Sequence, residues 1–210
     1  MNAMGTLIIF EGPDGVGKTT LAKALHEHYS FQGVKCKYMA FPGNEIGTLG
    51  YLVYDIHHHA DKYGVENIPT ESLQLLHIAA HIDSIENRII PALRESFLVI
   101  LDRFWWSTWV YGVIGGADPK IIEAMVDIEK RVWAETHPSC VFLIDRENSF
   151  RKDEFSDHWV RLRSAYDELS LSEGKDILVK KVVNDKSIQS SLDEVINIIE
   201  DLNFSLMGGR

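Results

Sequence analysis

The chain has 210 residues, 45% hydrophobic and 25% charged, enough for one full-sized core and too apolar for a disordered chain. Its formal charge of −10, from 31 acidic residues against 21 lysines and arginines, repels a polyanion, and without a basic patch this excludes nucleic-acid polymers as partners. No apolar run approaches the roughly 18 residues of a membrane span, and Met1-Asn2-Ala3-Met4-Gly5 carries no basic leader, so we expect one cytoplasmic domain over residues 1–210 with no membrane partner.

Residues 6–10 (TLIIF) form a continuous apolar run, as in a strand covered on both faces. Residues 11–20 are a glycine-rich turn entering a helix that Gly33 closes. Residues 34–41 read as a second strand, ended by Pro42-Gly43. Residues 45–60 have helical spacing at Ile46, Leu49, Leu52, Val53 and Ile56, weakened by Gly47 and Gly50. Thr70 opens a firmer helix bearing Leu73, Leu76, Ala80 and Ile85, and Pro91 sets a turn or kink. Residues 97–101 (FLVIL) are another buried strand, with Asp102-Arg103 at its carboxyl end and a glycine-rich connection at Gly112, Gly115 and Gly116. A helix over 119–136, a strand over 140–144, a helix over 155–171, a strand over 177–183 and a helix over 191–203 complete the chain. This alternation predicts an α/β fold, a five-stranded parallel sheet in a three-layer arrangement. Cys36 and Cys140 lack metal-type spacing and read as buried free thiols.

Gly12-Pro13-Asp14-Gly15-Val16-Gly17-Lys18-Thr19-Thr20 satisfies G-x-x-x-x-G-K-[ST] between a buried strand and a helix, the context this phosphate-binding loop requires. Backbone N–H groups and the helix N-terminus converge on phosphate oxygens, Lys18 can reach the β- and γ-phosphates of ATP, and the Thr19 hydroxyl can complete a Mg²⁺ shell. The fold is therefore expected to be of the P-loop NTPase type. Asp102, at the tip of a central strand, is the candidate carboxylate for Mg²⁺. Arg103 offers a bidentate fork that can bridge donor and acceptor phosphates.

Phe10-Glu11 followed by the loop resembles the F-x-E-G-x-D-G-x-G-K-T-T opening of the thymidylate kinases. The resemblance extends through Phe41-Pro42, Ile46-Gly47, Leu75-Leu76, Asp102-Arg103 with Ser107 and Tyr111, and Val160-Arg161 with Tyr166, covering nearly the whole chain. It implies an ATP- and Mg²⁺-dependent kinase that phosphorylates a nucleoside monophosphate, dTMP or a related pyrimidine nucleotide. It places Asp14 near the acceptor sugar and phosphate, Phe41 in the acceptor pocket, Arg103 on the acceptor phosphate and Tyr111 near the sugar or base. Asp185 and Lys186 match a loop beside adenine, and a homodimer is implied on the same ground.

Three departures limit the match. Asn44 stands where the family carries arginine in F-P-E-R, and His77 and His81 replace the stacking phenylalanine and the arginine of L-L-F-S-A-N-R. A short lid at about 145–154 replaces a longer arginine-bearing segment, with Arg146, Arg151 and Lys152 as its candidate cations. Two alternatives stay open: a deoxynucleoside kinase acting on an uncharged hydroxyl, with Glu11 or Asp102 as base, and an ATP-binding regulatory protein without phosphotransfer. His57-His58-His59 read as a solvated patch, since consecutive helical residues diverge. Trp105, Trp106 and Trp109 either pack on the acceptor or close the core beneath it.

Overall fold

The computed structural model describes residues 4–43, 45–134, 136–150 and 156–202, with only the backbone of Ser156. Asn44, Arg151 and Lys152 lie outside the described residues. Strands β1 (Leu7–Glu11), β2 (Cys36–Ala40), β3 (Leu98–Asp102), β4 (Cys140–Asp145) and β5 (Val179–Val183) form one parallel sheet in the order β2-β3-β1-β4-β5. The expected five-stranded parallel architecture is present, and its strand alternation shows why. Leu7, Ile9, Val99, Leu101, Val141 and Leu143 enter one core, while Ile8, Phe10, Ile100, Phe142 and Ile144 enter the other. Strands buried on both faces read as unbroken apolar runs.

Helices α1 (Lys18–Phe31) and α8 (Ile188–Asp201) cover one face. The other carries α3 (Thr70–Ser84), α5 (Trp105–Ile114), α6 (Pro119–Trp133) and α7 (Ser156–Glu173). Helix α2 (Leu49–His58) packs beside α3, capped by Thr48, whose hydroxyl accepts from Tyr51 N–H at 3.1 Å. No helix among the described residues is long and apolar enough to cross a membrane.

Two local readings need correction. Gly112, expected in a glycine-rich connection, instead lies within a helix, α5 (Trp105–Ile114), and sits against α6. Trp105 and Trp106 are buried in the core beneath it, and Trp109 packs at its margin, so these rings close the core. Pro91 does not break the chain into a turn. A π-helical turn at Ile85–Ile89 runs directly into the short helix α4 (Ile90–Arg94), and Pro91 stands in its first turn, where a missing N–H is tolerated.

Candidate active site

In the sheet register Phe10 lies opposite Asp102, so β1 and β3 deliver the phosphate loop and the carboxylate to one edge. Gly12 leaves β1 at φ 136°, and a Cβ there would lie 2.2 Å from the Ile144 carbonyl oxygen, so only glycine can make this passage across β4. The loop ends at the N-terminus of α1, whose unpaired N–H groups and dipole favour an anion. Lys18 is buried across the loop, its Nζ donating to the Pro13 carbonyl at 2.6 Å and lying 3.9 Å from Asp14. Burial pushes its ammonium down to about 8, Arg103 adds to this, and Asp14, Asp102 and Glu11 oppose it. Gly15, Val16 and Gly17 complete the loop, and Thr20 is exposed on the first turn of α1.

Thr19 Oγ1 donates to Asp102 Oδ2 at 2.5 Å, and the Tyr38 hydroxyl donates to the same oxygen at 3.1 Å. Burial first, then Asp102, raises the Tyr38 pKa and keeps the phenol a donor. Asp102 Oδ1 is buried without a hydrogen-bond partner among the described residues. A free carboxylate oxygen next to a threonine hydroxyl, facing an anion-binding loop, is a hard-oxygen set that fits Mg²⁺.

Arg103 adopts φ 77°, a left-handed conformation that side-chain-bearing residues seldom take. Its backbone N–H donates to Phe10 O at 2.9 Å, Nη1 donates to Ser107 Oγ at 2.9 Å, and Nη2 contacts Asp14 Oδ1. Burial alone would lower its pKa, but Asp14, with Tyr166, Tyr111 and Glu11, raises it overall, so the cation is permanent. Beneath it lies Glu11, fully buried, accepting from Gly12 N–H (3.1 Å), Phe104 N–H (2.7 Å), Ser107 N–H (3.0 Å) and the Ser107 hydroxyl (2.9 Å). Burial raises the Glu11 pKa, opposed by Arg103, Lys18 and these bonds. Glu11 thus ties the phosphate loop to the Arg103 turn. The Ser107 hydroxyl, already engaged with Glu11, Arg103 and Tyr166, supports that turn and has little left to offer a substrate.

Arg103 and Asp14 border a cavity of 560 Å³ walled by α2, α3, α5 and the Phe41-Pro42 turn. It gathers Phe41, His77, His81, Ser107 and Tyr111, distant in sequence. The Tyr111 hydroxyl accepts from Asp14 N–H at 2.9 Å. His81 stacks on Phe41, with ring centroids 4.0 Å apart and planes at 11°, and its Nδ1 lies 2.9 Å from Glu129 Oε2, so its ring is held by the protein. His77 Nε2 lies 3.2 Å from His57 Nδ1. Burial, with His81 and His57 adding, pushes His77 down to about 3, leaving a neutral imidazole. His57 and His58, though exposed, line this cavity, which the reading of a solvated patch missed; the histidine run makes no metal-holding group among the described residues.

Across the loop, Asn184 Nδ2 donates to Val16 O at 2.7 Å and Asn184 Oδ1 accepts from the Ser191 hydroxyl at 2.8 Å, clamping the loop to the segment after β5. The Arg146 guanidinium contacts the Asn184 carbonyl, stacks 3.7 Å from the centre of the Phe150 ring and lies 3.9 Å from Asp185. Phe150 N–H donates to Gly15 O at 2.9 Å, so the segment after β4 borders the loop. Lys186 is exposed beside this edge. Tyr38, Gln74 and Thr108 carried no role in the sequence, and Asn184, part of the segment matched to the loop beside adenine, was not foreseen as a clamp on the phosphate loop. For Gln74 and Thr108 the signal was present, since Gln74 shares a helical stripe with His77 and His81, and Thr108 adjoins Ser107.

Comparison with known proteins accords with this geometry. The sequence model described as "Thymidylate kinase" matches residues 10–158. The thymidylate kinase of Bacillus cereus (strain B4264) is 27% identical over 218 residues, covering 94% of this chain and 98% of that protein. That of Dinoroseobacter shibae is 37% identical over 145 residues, covering 69% of this chain and 66% of that protein. The crystal structure of thymidylate kinase from Ehrlichia chaffeensis superposes with a TM-score of 0.75 at 23% identity, over 93% of this chain and 99% of that one, and shares the fold.

Proposed function

The chain belongs to the thymidylate kinase family, and from that premise we propose that it transfers the γ-phosphoryl group of ATP to a pyrimidine nucleoside monophosphate, dTMP foremost. The observation that carries this reading is the convergence of Lys18, Asp102 and Arg103 between an anion-binding loop and a cavity of nucleotide size. Loop N–H groups and Lys18 hold the β- and γ-phosphates of ATP. Mg²⁺, held by Thr19 and through Asp102, would offset charge on the phosphate oxygens.

Arg103, steadied by Asp14, Ser107 and its own backbone bond to Phe10, meets the acceptor phosphate from the opposite side. That phosphate oxygen is already a nucleophile, so the protein aligns two anions and neutralises them without a covalent intermediate. A deoxynucleoside kinase would instead need a carboxylate base at an acceptor hydroxyl. Glu11 is enclosed by four donors, and one oxygen of Asp102 is taken by Thr19 and Tyr38, which disfavours that alternative. Fixed machinery of this kind also disfavours a purely regulatory ATP-binding role.

Arg146 is suited to the nucleotide side of the lid by its place beside Asn184 and the loop. A homodimer rests on the family resemblance. A panel of deoxynucleosides and their monophosphates, offered with Mg²⁺-ATP while ADP release is followed, tests the proposal. Turnover of pyrimidine monophosphates is expected; turnover of nucleosides alone, or of no acceptor despite ATP binding, would overturn it.

A further inference from the structure

Helix α3 turns Thr70, Gln74, His77 and His81 toward the cavity, at the spacing of one helical face. Gln74 is the unusual member. It is 6% exposed, lines the cavity, and its side-chain amide has no hydrogen-bond partner among the described residues. Of the other buried polar side chains of this wall, His81 is engaged with Glu129 and Ser107 with Glu11, while Thr108 makes no side-chain hydrogen bond among the described residues. The Gln74 stem is also fixed in place: a Cβ on Gly112 of α5 would lie 3.3 Å from its Cγ, so the side chain is wedged between two helices.

The amide is not one of the buried atoms left without a partner, so it opens into the cavity, where a bound group can take the place of water as its hydrogen-bond partner. With a monophosphate seated on Arg103, the sugar and base extend toward α3. We propose that Gln74 is the residue that reads the acceptor's base, its carbonyl oxygen accepting from the ring N3–H and its NH₂ donating to the O4 carbonyl of thymine or uracil. The adjacent donor and acceptor of a carboxamide match the adjacent acceptor and donor of that base edge. The nearby Thr108 hydroxyl lines the same wall. This inference rests on the proposed monophosphate acceptor and adds the feature by which it is chosen.

The test compares dTMP with N3-methyl-dTMP, which lacks the N3–H and is otherwise alike, in the wild-type chain and in Gln74→Leu and Gln74→Met. Methionine keeps an unbranched side chain in the wedge should leucine disturb folding. A site built around a hydrogen bond rejects an analogue lacking it strongly, so the wild-type kcat/KM ratio is expected to be about 100-fold or more. In both variants the ratio should fall below about 5-fold, through loss of dTMP turnover rather than of ATP affinity. A variant ratio equal to the wild-type ratio would overturn the role of Gln74 while leaving the kinase reading intact. Wild-type failure to phosphorylate any pyrimidine monophosphate would overturn both.

Discussion

Lys18 stands between opposing demands: burial and Arg103 favour its neutral form, while Asp14, Asp102 and Glu11 favour the charged one, and its pKa is down to about 8. The charged form predominates below that value and is the one that attracts phosphate. The kcat/KM for ATP should therefore fall as pH rises through about 8, and kcat at saturating ATP should fall only at higher pH, because bound phosphate favours the ammonium. A kcat/KM profile that stays level to about pH 10 would contradict this. Tyr38 acts on the neighbouring carboxylate. By donating to Asp102 Oδ2 it would leave Oδ1 available to hold Mg²⁺, so Tyr38→Phe should raise the Mg²⁺ concentration for half-maximal activity about tenfold with kcat little changed. A magnesium titration of the variant that overlays the wild type would remove that role. Lys18, Thr19 and Asp102 were legible because loop spacing and strand ends are local features. Tyr38 was not, because its meaning depends on β2 pairing with β3.

Among the elements, α2 shows how tertiary contact overrides propensity. Gly47 and Gly50 weakened its prediction, and the helix starts only at Leu49. Gly50 is there because a Cβ would lie 1.9 Å from the Pro42 carbonyl oxygen, so its absence lets α2 rest on the turn that carries Phe41. Helix propensity alone predicts that Gly50→Ala stabilises by about 1 kcal/mol. The contact predicts the opposite sign, a loss of about 3 kcal/mol with a weaker KM for the acceptor, measurable by urea denaturation and steady-state kinetics. A rise in the denaturation midpoint would show that the close approach does not matter. Helix α5 was lost from the sequence reading for a related reason. Its apolar residues surround the axis, and Gly112 looked like a breaker, whereas a Cβ there would lie 2.9 Å from Ile122 Cδ1 of α6. An all-round apolar helix leaves no period to read.

Across the whole molecule, the sheet and the phosphate loop could be read in advance because each is encoded within one continuous segment. Residues of the cavity were reached only through the family resemblance, because three helices and a turn separated by tens of residues meet only after folding. The same contrast holds for charge. A chain with formal charge −10 handles anions by holding Lys18 and Arg103 at one edge of the sheet, where burial intensifies their local effect. The proposed bridging of two phosphates by Arg103 across that edge is tested most directly by measuring phosphotransfer and ATP binding side by side in Arg103→Ala. Transfer to dTMP should fall about 10³-fold while the Kd for ATP, read by displacement of a fluorescent analogue, changes by less than about 3-fold. An equal loss of both, or transfer that survives the substitution, would contradict it.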